Sequence, residues 1–122
     1  MSQYQKAIGQ KFHEFSTFIL ERDFSIADDP DTGSIFLKGW IIFIDHSVLE
    51  FAEKYSLHGH RYRFHYMDHK KRLILRWDNV PHHRDTSTFP HHKHTPRGVE
   101  SSQDIALTNV LDHIVANLLS EQ

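Results

Sequence analysis

Tyr4, Ile8 and Phe12 fall four residues apart and lay one apolar stripe along a predicted helix over residues 3–14. Residues 16–28 mix Phe18, Leu20, Phe24 and Ile26 with polar positions and read as a strand. The turn-forming run Asp28-Asp29-Pro30-Asp31-Thr32-Gly33 closes it. From Ile35 to Ile44 nearly every residue is apolar, β-branched or aromatic, which fits a central strand better than a helix. After the short turn Asp45-His46-Ser47, residues 48–55 predict another strand, with Leu49, Phe51 and Tyr55 on one face.

The clearest pattern has period two. Tyr62, Phe64 and Tyr66 alternate with Arg61, Arg63 and His65; then Leu73, Leu75 and Trp77 alternate with Arg72, Ile74 and Arg76. With the polar turn Asp68-His69-Lys70-Lys71 between them, the two runs predict a hairpin. Its apolar positions face a core, and Arg61, Arg63, His65, Arg72 and Arg76 project together from the other side. Residues 79–98 hold Pro81, Pro90, Pro96 and Gly98 and follow neither helix nor strand period, so they are expected to form a long ordered loop. Ser101 and Ser102 then offer helix caps, with Asp104 favourable in the first turn. Ile105, Leu107, Val110, Leu111, Ile114, Val115, Leu118 and Leu119 make the stripe of a helix over about 103–119. The expected architecture is α+β: an antiparallel meander of about five strands with N- and C-terminal helices packed on one face.

Length adds that 122 residues suit one domain, spanning 1–122, with a core of its own. No apolar run is long enough to cross a membrane, and the first residues lack the apolar centre of a signal peptide. The absence of cysteine excludes disulfides, thiolate metal sites and a Cys nucleophile. An intracellular, cytoplasmic protein with no membrane partner is expected.

Charge changes the picture more. The net charge is −2 with the 12 histidines neutral, and it would reach +10 with all of them protonated. Residues 58–97 alone carry nine Lys/Arg against three acids, with nine of the histidines, while both flanking segments are acidic. A near-neutral total therefore conceals a basic, His-rich segment, which is either a solvated patch or a surface for a polyanion.

Candidate chemistry gathers in Arg76-Trp77-Asp78-Asn79-Val80-Pro81-His82-His83 and Phe89-Pro90-His91-His92-Lys93-His94. One use is metal-free phosphodiester cleavage: one imidazole takes a proton from a ribose 2′-hydroxyl while another protonates the leaving oxygen. Arg61, Arg63, Arg76 and Lys93 would stabilise charge on phosphorus oxygens. A second use is a metal site, since His92 and His94, like His58 and His60, point the same way in an extended strand, and Asp78 could add a carboxylate. No recognised metal motif is present, and no cofactor and no metal ligand is expected. The plainest use is structural: a histidine beside a proline can bond loop backbone, and Asp78 can form an Asx turn. His13, His46, His69 and His113 stand alone and read as surface residues.

Together the Tyr62-Arg63-Phe64-His65-Tyr66 hairpin, the Arg76-to-His83 run and the Phe89-to-His94 run resemble the small TumE-type toxins of prokaryotic toxin–antitoxin pairs. The specific likeness covers about residues 60–98; the N-terminal portion, including Asp28 to Gly33, lies outside it. The resemblance implies a bacterial or archaeal cytoplasmic toxin restrained by a cognate antitoxin. It points to Arg76, Asp78, Asn79, His82, His83, His91, His92, Lys93 and His94 without assigning individual roles.

The leading expectation is a toxin that binds RNA through Arg61, Arg63, Arg72, Arg76 and Lys93. It would cleave that RNA with His82, His83, His91, His92, Lys93, His94, Arg76 and Asp78. The alternatives are a non-enzymatic nucleic-acid- or protein-binding module and a His-rich metal-binding protein. A homodimer is left open.

Overall fold

The computed structural model describes residues 2–80 and 89–121. Helix α1 (Gln3–Glu14) starts where expected because Ser2 and Gln5 cap each other: Ser2 Oγ accepts from the Gln5 amide at 3.1 Å, and Gln5 Oε1 accepts from the Ser2 amide at 2.7 Å. A single 3₁₀ turn (Ser16–Phe18) leads into β1 (Ile19–Asp29). Then come β2 (Ser34–Phe43), β3 (Val48–Ser56), β4 (Gly59–Met67), β5 (Leu73–Asp78), β6 (His92–Thr95) and β7 (Gly98–Ser101), followed by helix α2 (Leu107–Ser120). The strands form one antiparallel sheet in chain order, β1 to β7.

Among the described residues the meander therefore has seven strands, not about five. The difference lies in residues 79–98, which are not one loop: β5 pairs β6 through Asp78↔His92 and Arg76↔His94, and β6 pairs β7 through His92↔Ser101. Strands this short and polar carry no apolar alternation, so nothing in the sequence marks them. The start of α2 also moves. Ser101 is the last residue of β7, and the N-cap is Ala106, whose amide is taken up by Asn109 Oδ1 at 2.9 Å. At the β4–β5 join a bulge between Tyr66 and Met67 skips Ile74. Ile74 and Leu75 pack on the core there, and Leu73, expected on the core face, does not.

Alternation divides the sheet into two unlike faces. Leu37, Ile41 and Phe43 of β2, Leu49 and Phe51 of β3, Tyr62, Phe64 and Tyr66 of β4, and Trp77 of β5 share one apolar cluster with both helices. Ile8 and Phe12 enter from α1; Leu107, Val110, Leu111, Ile114 and Leu118 enter from α2. Gly39 sits on this face for a steric reason: a Cβ there would lie 2.4 Å from both Asp23 O and Phe24 Cβ. Among the described residues the opposite face carries no helix. It presents Lys38, Trp40, Glu50, Ala52, Lys54, Arg61, Arg63, His65, Arg76 and Asp78 in cross-strand rows.

Candidate active site

Where β5 meets β6, the bare face turns ionic. His92 and His94, two apart on β6, point to the same side and meet Asp78 from the neighbouring strand. His92 Nε2 lies 2.7 Å from Asp78 Oδ1, and His94 Nε2 lies 3.6 Å from Asp78 Oδ2. Arg76 joins them: its Nε is 3.3 Å from Asp78 Oδ2, an ion pair without hydrogen-bond alignment, and its Nη2 donates to His94 Nε2 at 3.3 Å. The other ring nitrogen of His92, Nδ1, lies 2.9 Å from the Pro90 carbonyl oxygen. The Asp78 side chain is buried, the His92 side chain is 2% exposed and that of His94 is 18% exposed, so His94 is the accessible imidazole.

Neighbouring residues extend this cluster along the face. Arg63 is the register partner of Asp78, and His65 that of Arg76. The His65 ring is half-buried; burial first, then the charges of Arg63 and Arg76, hold it below the usual imidazole range. Its Nδ1 is buried and has no hydrogen-bond partner among the described residues.

The other expected residues separate by strand geometry. Lys93 lies between His92 and His94 and so faces the helix side, opposite Trp77 and 3.8 Å from Glu100. Arg72 precedes β5; its Nε pairs with Asp68 Oδ2 at 2.9 Å in the hairpin turn, away from the sheet face. Arg61 and Arg63 lie on the bare face as expected. His91 turns to the helix side and stacks on Tyr62, with its Nδ1 2.8 Å from the tyrosine oxygen. Asn79 is a splint: it accepts from the Tyr62 amide at 3.0 Å and donates to the His60 carbonyl at 2.6 Å, prolonging the β4–β5 ladder. His82 and His83 lie outside the described residues.

A second polar cluster on the helix side was not anticipated. Glu53 is fully buried, accepts from the Tyr4 hydroxyl, and lies 2.7 Å from His60 Nε2. His60 Nδ1 lies 2.8 Å from Asp104, and the Leu107 amide donates to Tyr4 Oη at 2.9 Å. Burial opposes charge on the His60 ring, but the hydrogen bonds to Glu53 and Asp104 outweigh it and raise its pKa. The cluster ties α1, β3, β4 and the entry of α2 together. Its sequence signal was present: Glu53 occupies the same phase of β3 as Leu49, Phe51 and Tyr55, so a charge there had to find partners inside.

Asp78, His92 and His94 also offer ligand atoms within 4.8 Å of one another, a spacing that could hold a divalent cation. Against that use, the Arg76 guanidinium already occupies the His94 nitrogen and brings a fixed positive charge onto the donor atoms.

Two helices on one face of a seven-stranded meander, with a His–Asp–Arg cluster on the bare face, define a small α+β protein whose polar site lies on an open sheet. The family model for toxin TumE matches residues 8–119, and the chain belongs to that toxin family. The match takes in the N-terminal segment, including Asp28 to Gly33, that the motif likeness left out. No curated protein and no solved structure matches the chain. No helix among the described residues is long and apolar enough to cross a membrane.

Proposed function

We propose that this toxin is a metal-independent ribonuclease, held in check by a cognate antitoxin. The observation that carries this reading is the Asp78–His92–His94–Arg76 cluster, set on the face that also bears Arg61 and Arg63. A guanidinium can only donate, so the Arg76–His94 contact uses the lone pair of His94 Nε2, the form in which an imidazole accepts a proton. As Arg76 turns from His94 to the phosphate, the freed lone pair of His94 Nε2 takes the proton of a ribose 2′-hydroxyl while the 2′-oxygen bonds to phosphorus. The bond from phosphorus to the 5′-oxygen breaks, and that oxygen takes a proton from a second imidazole. The donor is His92, working against Asp78, or else His82 or His83. Arg76 faces the charge that develops on the phosphoryl oxygens.

The test is cleavage of RNA by the purified chain. Activity should follow a bell-shaped pH profile, persist in chelator and leave 2′,3′-cyclic phosphate ends. His94→Ala should lower the rate by about 10²–10⁴-fold. Among His92→Gln, His82→Ala and His83→Ala, the variant that loses the alkaline limb of the profile identifies the acid. Activity lost in chelator and restored by zinc or manganese would replace this reading by metal-assisted hydrolysis at Asp78, His92 and His94. A wild-type chain that binds RNA or the antitoxin but cuts nothing would leave a binding module.

A further inference from the structure

The bare face holds two hollows that neither the ionic cluster nor the motif likeness accounts for. One, of about 340 Å³, is lined by Lys38, Trp40, Glu50, Ala52, Arg63 and His65. The other, of about 260 Å³, is lined by Phe36, Lys54, Arg61 and Val80, and the two share Ala52 and Arg63. Phe36 and Trp40, four residues apart on β2, lie about 13 Å apart along the strand. Each hollow thus has one aromatic residue of the bare face and at least one flanking cation, and Arg63 borders both. Phe36 is 40% exposed, a large apolar ring facing outward on a sheet whose other face holds the core. The first hollow is also walled by the His65 ring, and Arg63 links it to Asp78 by direct strand pairing.

We propose that this face is a track for single-stranded RNA, with Trp40 and Phe36 each stacking a nucleobase and Arg63 taking the phosphate between them. The inference rests on the ribonuclease reading and names its substrate: an unpaired strand that runs across β4 and β3 from the scissile bond at Asp78 and His94. Aromatic platforms flanked by cations suit this ligand because every base offers a π-face and every linkage a negative charge. The small Ala52 leaves room for a flat ring between the two sides. Glu50, at the lip of the first hollow, disfavours a second phosphate there, which leaves that hollow to a base.

The experiment titrates the full chain with a short labelled single-stranded RNA, using a His94→Ala background for affinity and the wild type for steady-state cleavage. Trp40→Ala should weaken binding by about 5- to 150-fold, the usual worth of one stacked base, and Phe36→Ala similarly. Trp40→Phe should recover most of that loss. In cleavage, Trp40→Ala should raise KM and leave kcat nearly unchanged, as expected for uniform binding away from the reacting bond. An abasic oligonucleotide should bind the parent and Trp40→Ala equally. RNA that is bound and cut with unchanged affinity and KM in both alanine variants would overturn the track and leave the ribonuclease reading standing. A wild type that neither binds nor cuts RNA would remove both. Unchanged RNA affinity in Trp40→Ala, with antitoxin binding lost, would make the face a protein-docking surface and overturn the proposal.

Discussion

His92 and His60 are each held by carboxylates, yet they answer to substitution and pH in different ways. His92 is buried against Asp78, so His92→Ala strands a charge that Arg76 only partly offsets. The cost should be about 3 kcal/mol, at the low end for breaking a buried pair, measured by denaturant unfolding. The sequence alone placed both site histidines on a loop, where alanine would affect folding little; the strand pairing of His92 with Asp78 corrects that. For His94, more exposed, the stability loss should be small and the loss of activity dominant. His60 is a matter of linkage. Its folded pKa is raised, so its contribution is fully present below the unfolded value near 6.5 and is lost as pH rises through the higher folded value. The stability gap between wild type and His60→Gln should therefore be widest in mild acid and narrow toward alkaline pH. A gap that widens with pH would contradict the hydrogen bonds to Glu53 and Asp104 as the cause.

At the scale of elements, β1 and β2 come close at Gly39. A methyl group there meets the backbone and Cβ of β1 and no flexible side-chain tip, so the strand itself must shift. Gly39→Ala should destabilise by about 1–3 kcal/mol, seen as a lower unfolding midpoint with an unchanged denaturant slope. Legibility in the sequence follows the same physical line. The β4–β5 hairpin could be read because one face is buried and the other wet, which imposes alternation on Tyr62 to Trp77. Helix α2 could be read from its stripe, but its start could not, because Asp104 is committed to His60 and is not in the first turn. β6 could not be read at all: its four residues are held by ladder bonds and ion pairs, neither of which leaves a periodic apolar trace. Of the site, the residue types were legible and their sorting was not. Strand parity sends Lys93 and His91 to one side and His92 and His94 to the other, and parity is unknown until the strand is.

For the whole molecule, the basic segment becomes a directional feature. Arg61, Arg63 and Arg76 share the bare face, whereas Arg72 and Lys93 are engaged elsewhere with Asp68 and Glu100. RNA affinity should fall with the logarithm of salt, by about 0.7 per phosphate contact on a single strand. Arg63→Ala should make that slope shallower by about 0.7, and Arg72→Ala should leave it unchanged. Equal effects from the two would mean that charge acts through the overall field and not through contacts on one face.

The nearest-neighbour order of the sheet has a consequence for how the toxin comes into being. All seven strands among the described residues precede α2 in the chain, yet α2 supplies Leu107, Val110, Leu111, Ile114 and Leu118 to the cluster against which those strands pack. A nascent chain on the ribosome can therefore have synthesised every described member of the ionic cluster and still lack the apolar surface that holds β4 and β5 in place. The core behind β4 and β5 is therefore completed last, after every described member of the ionic cluster has been made.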